Sequence, residues 1–140
     1  MPDVRIARDA LQVIVAHAHR ARPEECCGLL LGHGREILEA VPTANVAPEP
    51  IRRFAIDPVE HFAQIHRCRR INARQGEQFA VVGAYHSHPG RGAEPSADDH
   101  AESFSDFVFV IVGFVEGGGV DVAAYTREAE RLTPQPLVVS

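Results

Sequence analysis

Cysteine is scarce in this sequence and lysine is absent. The 140 residues include 3 cysteines, and no two of them form a Cys-x-x-Cys pair. Cys26 and Cys27 are adjacent, so their side chains diverge if the backbone is extended. This pattern does not fit the disulfide framework of a small secreted protein. All 14 basic residues are arginine, so no lysine-linked modification can form on this chain.

Long hydrophobic runs and a surplus of positive charge are absent as well. No stretch reaches the ~18 consecutive apolar residues of a transmembrane helix, and the first twenty residues lack the apolar centre of a signal peptide. We therefore expect a cytoplasmic protein with no membrane partner. The formal net charge is -5, and the one concentration of positive charge is four arginines at positions 67, 69, 70 and 74. Nucleic acid is therefore not an expected partner.

The hydrophobic content is that of an ordinary globular protein. Of all residues, 45% are hydrophobic and 24% are charged, which excludes a disordered polymer, a collagen and a coiled-coil rod. A compact chain of this length buries roughly 68–70% of the surface that its unfolded form exposes. We therefore expect a single domain that spans residues 1–140.

Hydrophobic periodicity predicts three helices among several strands. Apolar residues three and four apart predict a helix over residues 7–19, and Asp57, Pro58 and Glu60 form a start signal for a helix over residues 57–75. A short helix begins near Ser96. Runs of β-branched and aromatic residues predict strands, at residues 28–32, 35–41, 54–56, 78–85, 107–114 and 120–126, with a further edge strand within residues 132–139.

Two histidines at the end of the strand at residues 78–85 are candidate metal ligands. Side chains two apart on a strand share a face, so His86 and His88 can direct their rings at one point. Asp99, in the first turn of the next helix, can supply a third ligand. Two neutral nitrogens and one carboxylate leave a fourth position for water, which is the ligand count of a catalytic zinc site rather than a structural one.

Each of these residues also has a purely structural interpretation. Ser96 can cap the helix that follows it, with Asp99 as an acid in the first turn. Capping uses backbone contacts, however, and so it does not exclude metal ligation by the same carboxylate. His17 and His19 repeat the His-x-His spacing on a predicted helix, where residues two apart point about 200° apart. We therefore expect no metal site at that second pair.

The spacing of the candidate residues resembles the motif of the JAMM (MPN-plus) zinc metalloproteases, in their stand-alone prokaryotic branch. That motif is a glutamate three residues before a glycine, a distant His-Ser-His, seven residues, a serine, two residues and an aspartate. The matching residues here are Glu25, Gly28, His86, Ser87, His88, Ser96 and Asp99. The opening helix, the loop at Asn45, the helix start at Asp57 and the final hairpin extend the resemblance to most of the chain.

The resemblance implies a fold and a division of labour. The implied fold is α+β, JAB/MPN-like, with a mixed, curved β-sheet flanked by helices on both sides, and it resembles the cytidine-deaminase-like architecture. The resemblance also implies that His86, His88 and Asp99 hold Zn²⁺ with water as the fourth ligand. By the same resemblance, Glu25 takes a proton from that water, and Ser96 donates a hydrogen bond to the oxyanion of the tetrahedral intermediate.

One alternative concerns the proton acceptor. Glu24 competes with Glu25 for this role, and the two would point to opposite faces of an extended segment. Only Glu25 has the family's spacing to Gly28. Cys26 and Cys27 are interpreted as small core residues beside the site, because no base can be assigned to a cysteine nucleophile.

The resemblance implies hydrolysis of the amide or isopeptide bond that follows the C-terminal Gly-Gly of a ubiquitin-like or sulfur-carrier protein. Because no loop here resembles the long insertions of specialised eukaryotic members, we expect a small sulfur-carrier protein of the β-grasp type as substrate. One alternative is a non-catalytic MPN scaffold, although such domains typically lose ligands and this chain retains them all. Another is a RadC-like, DNA-repair-associated domain, which usually carries an additional N-terminal helical region.

Overall fold

A computed structural model describes residues 3–102 and 107–140 of the chain. Helices interrupt a mostly antiparallel series of strands, as in an α+β protein. In chain order the elements are β1 (Val4–Ile6), α1 (Arg8–Ala21), β2 (Cys27–His33), β3 (Glu36–Thr43), α2 (Pro58–Gln75), β4 (Ala80–His88), α3 (Ala97–Glu102), β5 (Val108–Phe114), β6 (Val120–Glu128), β7 (Arg131–Gln135) and β8 (Leu137–Val139).

The described strands form one mixed sheet in the order β7-β6-β5-β4-β2-β3-β1-β8. The pairs β4–β5, β1–β3 and β1–β8 are parallel, and the other neighbours are antiparallel. The strands at the two ends of this order are separated along the chain by Pro136 alone. The sheet must therefore curve until its two edges approach each other. The predicted mixed, curved sheet is confirmed.

Helices pack on both faces of this sheet, as predicted. Because successive side chains of a strand alternate between faces, Leu30 packs in the cluster that contains Ile14 of α1. Its neighbours Leu29 and Leu31 pack instead against Cys68 of α2. All three leucines are fully buried. Strand β2 thus lies between the two long helices. None of the helices in the described ranges combines the length and the apolar composition that crossing a bilayer requires.

The structure differs from the sequence prediction mainly at the ends of the chain. Strand β1 was not predicted, because its three residues are too few to show a period. The predicted edge strand at residues 132–139 is two strands that pair at opposite edges of the sheet. The predicted strand at residues 54–56 is reduced to an isolated bridge between Asn45 and Ile56.

The close approach of β4 and β5 gives a stability prediction. A Cβ atom at Gly83 would lie 1.8 Å from the carbonyl oxygen of Val108, so an alanine there would push the two paired backbones apart. We expect Gly83→Ala to lower the free energy of unfolding by about 3 kcal/mol, measured by urea denaturation. Gly90→Ala is the matched control, because a Cβ there would have no neighbour within 4 Å. Equal stability of the two variants would contradict the packing at Gly83.

Candidate metal centre

The end of β4 and the start of α3 bring three candidate ligands together. His86 and His88 are 2% and 1% exposed, and they project from the same face of β4. His86 Nε2 lies 3.1 Å from Asp99 Oδ1, and His88 Nε2 lies 3.1 Å from Asp99 Oδ2. One ligand atom from each residue lies within 4.8 Å of the other two. The structure therefore brings together the three residues that the sequence predicted as ligands.

The geometry of Asp99 is compatible with both interpretations made from the sequence. The backbone N–H of Asp99 donates to Ser96 Oγ at 3.1 Å, and the backbone N–H of Ser96 donates to Asp99 Oδ2 at 2.8 Å. This reciprocal pair is a capping box at the start of α3. The same carboxylate faces both histidine rings, so helix capping fixes its orientation toward them.

The hydrogen bonding of His88 tests whether a cation fits between these groups. His88 Nδ1 lies 3.0 Å from the carbonyl oxygen of Gly92, which can only accept, so Nδ1 carries a proton. In a neutral ring, Nε2 then carries a lone pair and no proton. That lone pair faces Asp99 Oδ2, and His86 Nε2 is 3.2 Å away. A proton on a ring nitrogen can bridge these groups. When both rings are neutral, the two nitrogens and the carboxylate form a donor set that fits a divalent metal ion.

Burial and hydrogen bonding keep the histidine and the acid in their ligating forms. Burial lowers the pKa of His86, and this effect outweighs the opposing effect of Asp99. The neutral form of the ring is therefore favoured. For Asp99, burial alone would raise the pKa, but hydrogen bonds with His86, His88 and the Ser96 backbone hold it well below its usual value. The ring of Phe54 stacks on His86 with centroids 4.2 Å apart. No local sequence signal marks this phenylalanine as part of the site.

Glu25 lies two residues before β2 and is 4% exposed, whereas Glu24 is exposed. It lines a cleft of about 200 Å³ together with Phe54, Ser96 and Asp99. Burial raises the pKa of Glu25 to about 7. A carboxyl with such a pKa can accept and release a proton near neutral pH. The structure therefore places Glu25, and not its neighbour, beside the candidate metal centre.

Close pairing between the β2 and β4 segments keeps Glu25 aligned with the two histidines. The backbone N–H of Cys26 donates to Ser87 Oγ at 2.8 Å, and the backbone N–H of Ser87 donates to the Cys26 carbonyl at 3.1 Å. Two residues further along the same pair of strands, a Cβ at Gly28 would lie 2.2 Å from the Tyr85 ring. The serine between the histidines and the glycine after the glutamate thus allow β2 and β4 to pair closely.

Asn45 is a residue whose contribution the sequence analysis missed, beyond noting its loop. Its Nδ2 donates to the carbonyl oxygens of Glu25 and Arg53, both at 2.9 Å. Its Oδ1 accepts from the backbone N–H groups of Ala47 and Ala55 at 3.1 and 3.0 Å. One side chain therefore joins the backbone of Glu25 to the loop at residues 45–55, which forms a wall of the cleft. An asparagine in a loop with three prolines was the only available signal.

The loop between the ligands is held against the sheet. A Cβ at Gly113 of β5 would lie 2.2 Å from the backbone of Gly92, so the loop lies directly on that strand. The hydroxyl of Tyr125 donates to the carbonyl of Ala93 at 2.7 Å. These contacts fix the carbonyl group that orients His88.

All three cysteines are free and buried. Burial raises the pKa of each thiol, and that of Cys27 to about 11. Such thiols remain protonated near neutral pH, and the thiolate is the nucleophilic form. The structure therefore supports the interpretation of Cys26 and Cys27 as core residues.

Known proteins with similar sequences cover most of this chain. A desampylase from Haloferax volcanii is 34% identical over 113 residues, which cover 76% of this chain and 77% of that protein. A probable TtuB-protein conjugate cleaving protease from Thermus thermophilus is 32% identical over 108 residues, which cover 77% of this chain and 68% of that protein. Both alignments extend over most of each relative.

A solved structure shares the fold. The crystal structure of a JAB1/MPN domain protein from Archaeoglobus fulgidus covers 99% of this chain and 100% of its own, with a TM-score of 0.57 and 19% identity. The family described as prokaryotic homologs of the JAB domain, Prok-JAB, matches residues 7–128. The predicted resemblance is therefore confirmed at the level of family and fold, and the chain belongs to the Prok-JAB family.

Proposed function

We propose that this protein is a zinc-dependent hydrolase acting as one domain over residues 1–140. It cleaves the amide or isopeptide bond after the C-terminal Gly-Gly of a ubiquitin-like or sulfur-carrier protein. The observation that carries this proposal is the convergence of three ligand atoms within 4.8 Å of one another, beside the buried carboxyl of Glu25. The names of the two relatives, a desampylase and a protease that cleaves protein conjugates, support a hydrolase of this kind.

His86, His88 and Asp99 would hold the zinc ion. Two imidazole nitrogens and one carboxylate form a typical ligand set of catalytic zinc, in which a fourth position is open. When bound, the ion supplies Lewis acidity and lowers the pKa of a water molecule at that position. Asp99 lines the same cleft as Glu25 and Ser96, so the three side chains would hold the ion beside that cleft.

Glu25 would act as the proton carrier of the reaction. Its carboxylate takes a proton from the attacking water, whose oxygen bonds to the substrate carbonyl carbon. It then delivers that proton to the leaving nitrogen as the carbon–nitrogen bond breaks. Because burial raises its pKa to about 7, both transfers are accessible near neutral pH.

Ser96 would stabilise the negative charge that develops on the carbonyl oxygen. Its Oγ accepts the backbone N–H of Asp99 at 3.1 Å, which leaves the hydroxyl proton for another acceptor. A fixed donor of this kind is worth more in a desolvated cleft than in water. The capping box holds this hydroxyl at a constant position beside the metal ligands.

The size of the cleft fits a glycine tail. Its volume is about 200 Å³, and small or rigid residues, among them Ala47, Pro48 and Ala55, line it. Two glycines carry no side chains, so an extended Gly-Gly segment can enter where a bulkier sequence would collide. We infer that this cleft receives the carboxyl-terminal tail of the protein substrate.

Asn45→Ala is expected to reduce kcat/KM by about 10²-fold, because the positions of Glu25 and the loop at residues 45–55 then relax, and small misplacements cost that much. Zinc content should stay at the wild-type value, since Asn45 contacts none of the ligands. The control is Asn72→Ala, which also removes side-chain hydrogen bonds to the backbone, two to Phe79 at 2.8 Å each, at residues that do not line the cleft. If both variants lose stability but keep kcat/KM, Asn45 does not position Glu25.

The function is tested with candidate carrier proteins that bear a C-terminal extension or an isopeptide-linked lysine peptide. Zinc-loaded protein is incubated with each, and products are identified by intact mass. The expected product ends at Gly-Gly, and a chelator should abolish its formation. A protein that binds zinc stoichiometrically but cleaves no Gly-Gly conjugate would refute the proposal. Absence of both zinc and cleavage would instead favour a non-catalytic scaffold.

A further inference from the structure

Two clefts meet at Glu25. One is the cleft of about 200 Å³ that also contains Ser96 and Asp99. The other is larger, about 530 Å³, and is lined by Arg22, Ile51 and Arg91 among others. Glu25 lines both of them, so a substrate that extends through the site would have a different part in each.

The proposed chemistry decides which part lies where. The substrate carbonyl oxygen must face Ser96, which lines the smaller cleft, so the acyl part enters from that side. The leaving nitrogen must receive a proton from Glu25. The group attached to that nitrogen therefore continues into the larger cleft, on the other side of Glu25. This assignment rests on the function proposed above.

Two arginines of the larger cleft are held by Phe114, at the end of β5. The Arg22 guanidinium lies 4.3 Å from the centre of the Phe114 ring, a distance at which cation–π attraction holds it. The backbone N–H of Phe114 donates to the carbonyl of Arg91 at 2.9 Å. The end of β5 thus positions both arginines. We call this pair, Arg22 and Arg91, the arginine pair.

The positive charge of the arginine pair is not fully compensated within the described residues. Arg91 Nη2 lies 4.0 Å from Glu25 Oε2, and the Arg91 side chain remains 55% exposed. Arg22 has no carboxylate within 4.0 Å in the described ranges. Within the described residues, only Arg91 therefore has a carboxylate nearby, and guanidinium donors remain for a further acceptor.

We propose that the arginine pair binds a carboxylate carried by the leaving amine. A guanidinium fork matches the two oxygens of a carboxylate, and its charge offsets the repulsion between that carboxylate and Glu25. The carboxylate has two possible sources. It is either the α-carboxylate of a single amino acid released from the carrier, or an acidic side chain beside an isopeptide-linked lysine.

The test uses matched substrates that differ only in this charge. One pair is a carrier protein ending in Gly-Gly-Ala with a free carboxylate or with a carboxamide. The second pair is an isopeptide conjugate whose lysine has a glutamate or a glutamine neighbour. We expect kcat/KM to favour the charged member of at least one pair by about tenfold or more. The pair that shows the preference identifies the source of the carboxylate.

Variants show whether the arginine pair causes the preference. Arg22→Met and Arg91→Met should each reduce the ratio of kcat/KM between the charged and the uncharged member of a substrate pair, whatever their effect on the rate with the uncharged member. Arg52→Met is the matched control, because it removes an arginine from the smaller cleft, and the preference should persist. A preference that survives both Arg22→Met and Arg91→Met would overturn the proposal.

A binding experiment separates this inference from the proposed function. The Glu25→Gln variant is titrated calorimetrically with Gly-Gly-Ala peptides in acid and amide form, and with lysine-containing peptides that carry glutamate or glutamine. The charged peptides should bind about tenfold more tightly, and Arg91→Met should remove the difference. If neither binding nor cleavage distinguishes charged from uncharged partners, the carboxylate subsite is wrong. Cleavage of both kinds at equal rates would leave the hydrolase function standing.

Discussion

Glu25→Gln is expected to retain bound zinc and to lose about 10³-fold in kcat, within the range attributed to a general acid–base group. Glutamine has the size of glutamate, so the packing of this 4% exposed side chain should be preserved. Its amide cannot accept a proton from the attacking water or return one to the leaving nitrogen. The rate is measured by intact mass with a Gly-Gly conjugate, and zinc by elemental analysis of the dialysed protein.

The neighbouring residue offers a matched control for this variant. Glu24 is exposed, and Glu24→Gln should leave both kcat and zinc content at the wild-type values. Loss of zinc from Glu25→Gln would make Glu25 a ligand instead of a proton carrier. Retention of activity in Glu25→Gln together with loss in Glu24→Gln would assign the base to the other glutamate.

His88→Ala is expected to empty the metal centre. Loss of a group that merely orients a ligand weakens metal binding by about 10–100-fold, so removal of a ligand itself should exceed that. The buried Asp99 would also lose one of its two histidine partners. We expect less than stoichiometric zinc after dialysis against a competing chelator, and no detectable hydrolysis.

His66→Ala controls for the general loss of a histidine. His66 is exposed on α2, where its ring contacts Phe62 with centroids 4.7 Å apart. This variant should bind zinc with wild-type stoichiometry and affinity. Full zinc occupancy in His88→Ala under the same conditions would refute the assignment of His88 as a ligand.

The parts of the fold that local chemistry determines were predicted from the sequence. Helix α2 has both predicted ends. Asp57 caps its start, and it ends at Gln75 because Gly76 adopts the left-handed conformation. Strand β1 and the division of the tail into β7 and β8 were not predicted. Their positions depend on pairing between residues far apart in the sequence, such as Val4 with Leu137. A three-residue strand carries no periodic signal of such pairing.

Local sequence patterns also predicted some residues of the site and not others. His86 and His88 could be placed on one face because strand geometry alternates, and Asp99 because a capping signal precedes it. The choice of Glu25 followed from its spacing to Gly28, and the structure buries this residue. Phe54 and the arginine pair reach the site through loops, whose paths follow from contacts with other elements. Local sequence therefore could not predict the contribution of these residues. The chemical roles of all the site residues remain predictions that the variants test.

Two different kinds of support meet at this centre. Glu25 and the histidines depend on the ladder between β2 and β4, in which Cys27 pairs with His86, so their separation is fixed by the lattice of the sheet itself. Ser96 and Asp99 arrive at the far end of a loop that Gly113 and Tyr125 anchor. A change in that loop would therefore move Ser96 and Asp99 relative to the imidazoles, whereas the spacing between the proton carrier and the imidazoles would remain as the strand pairing sets it.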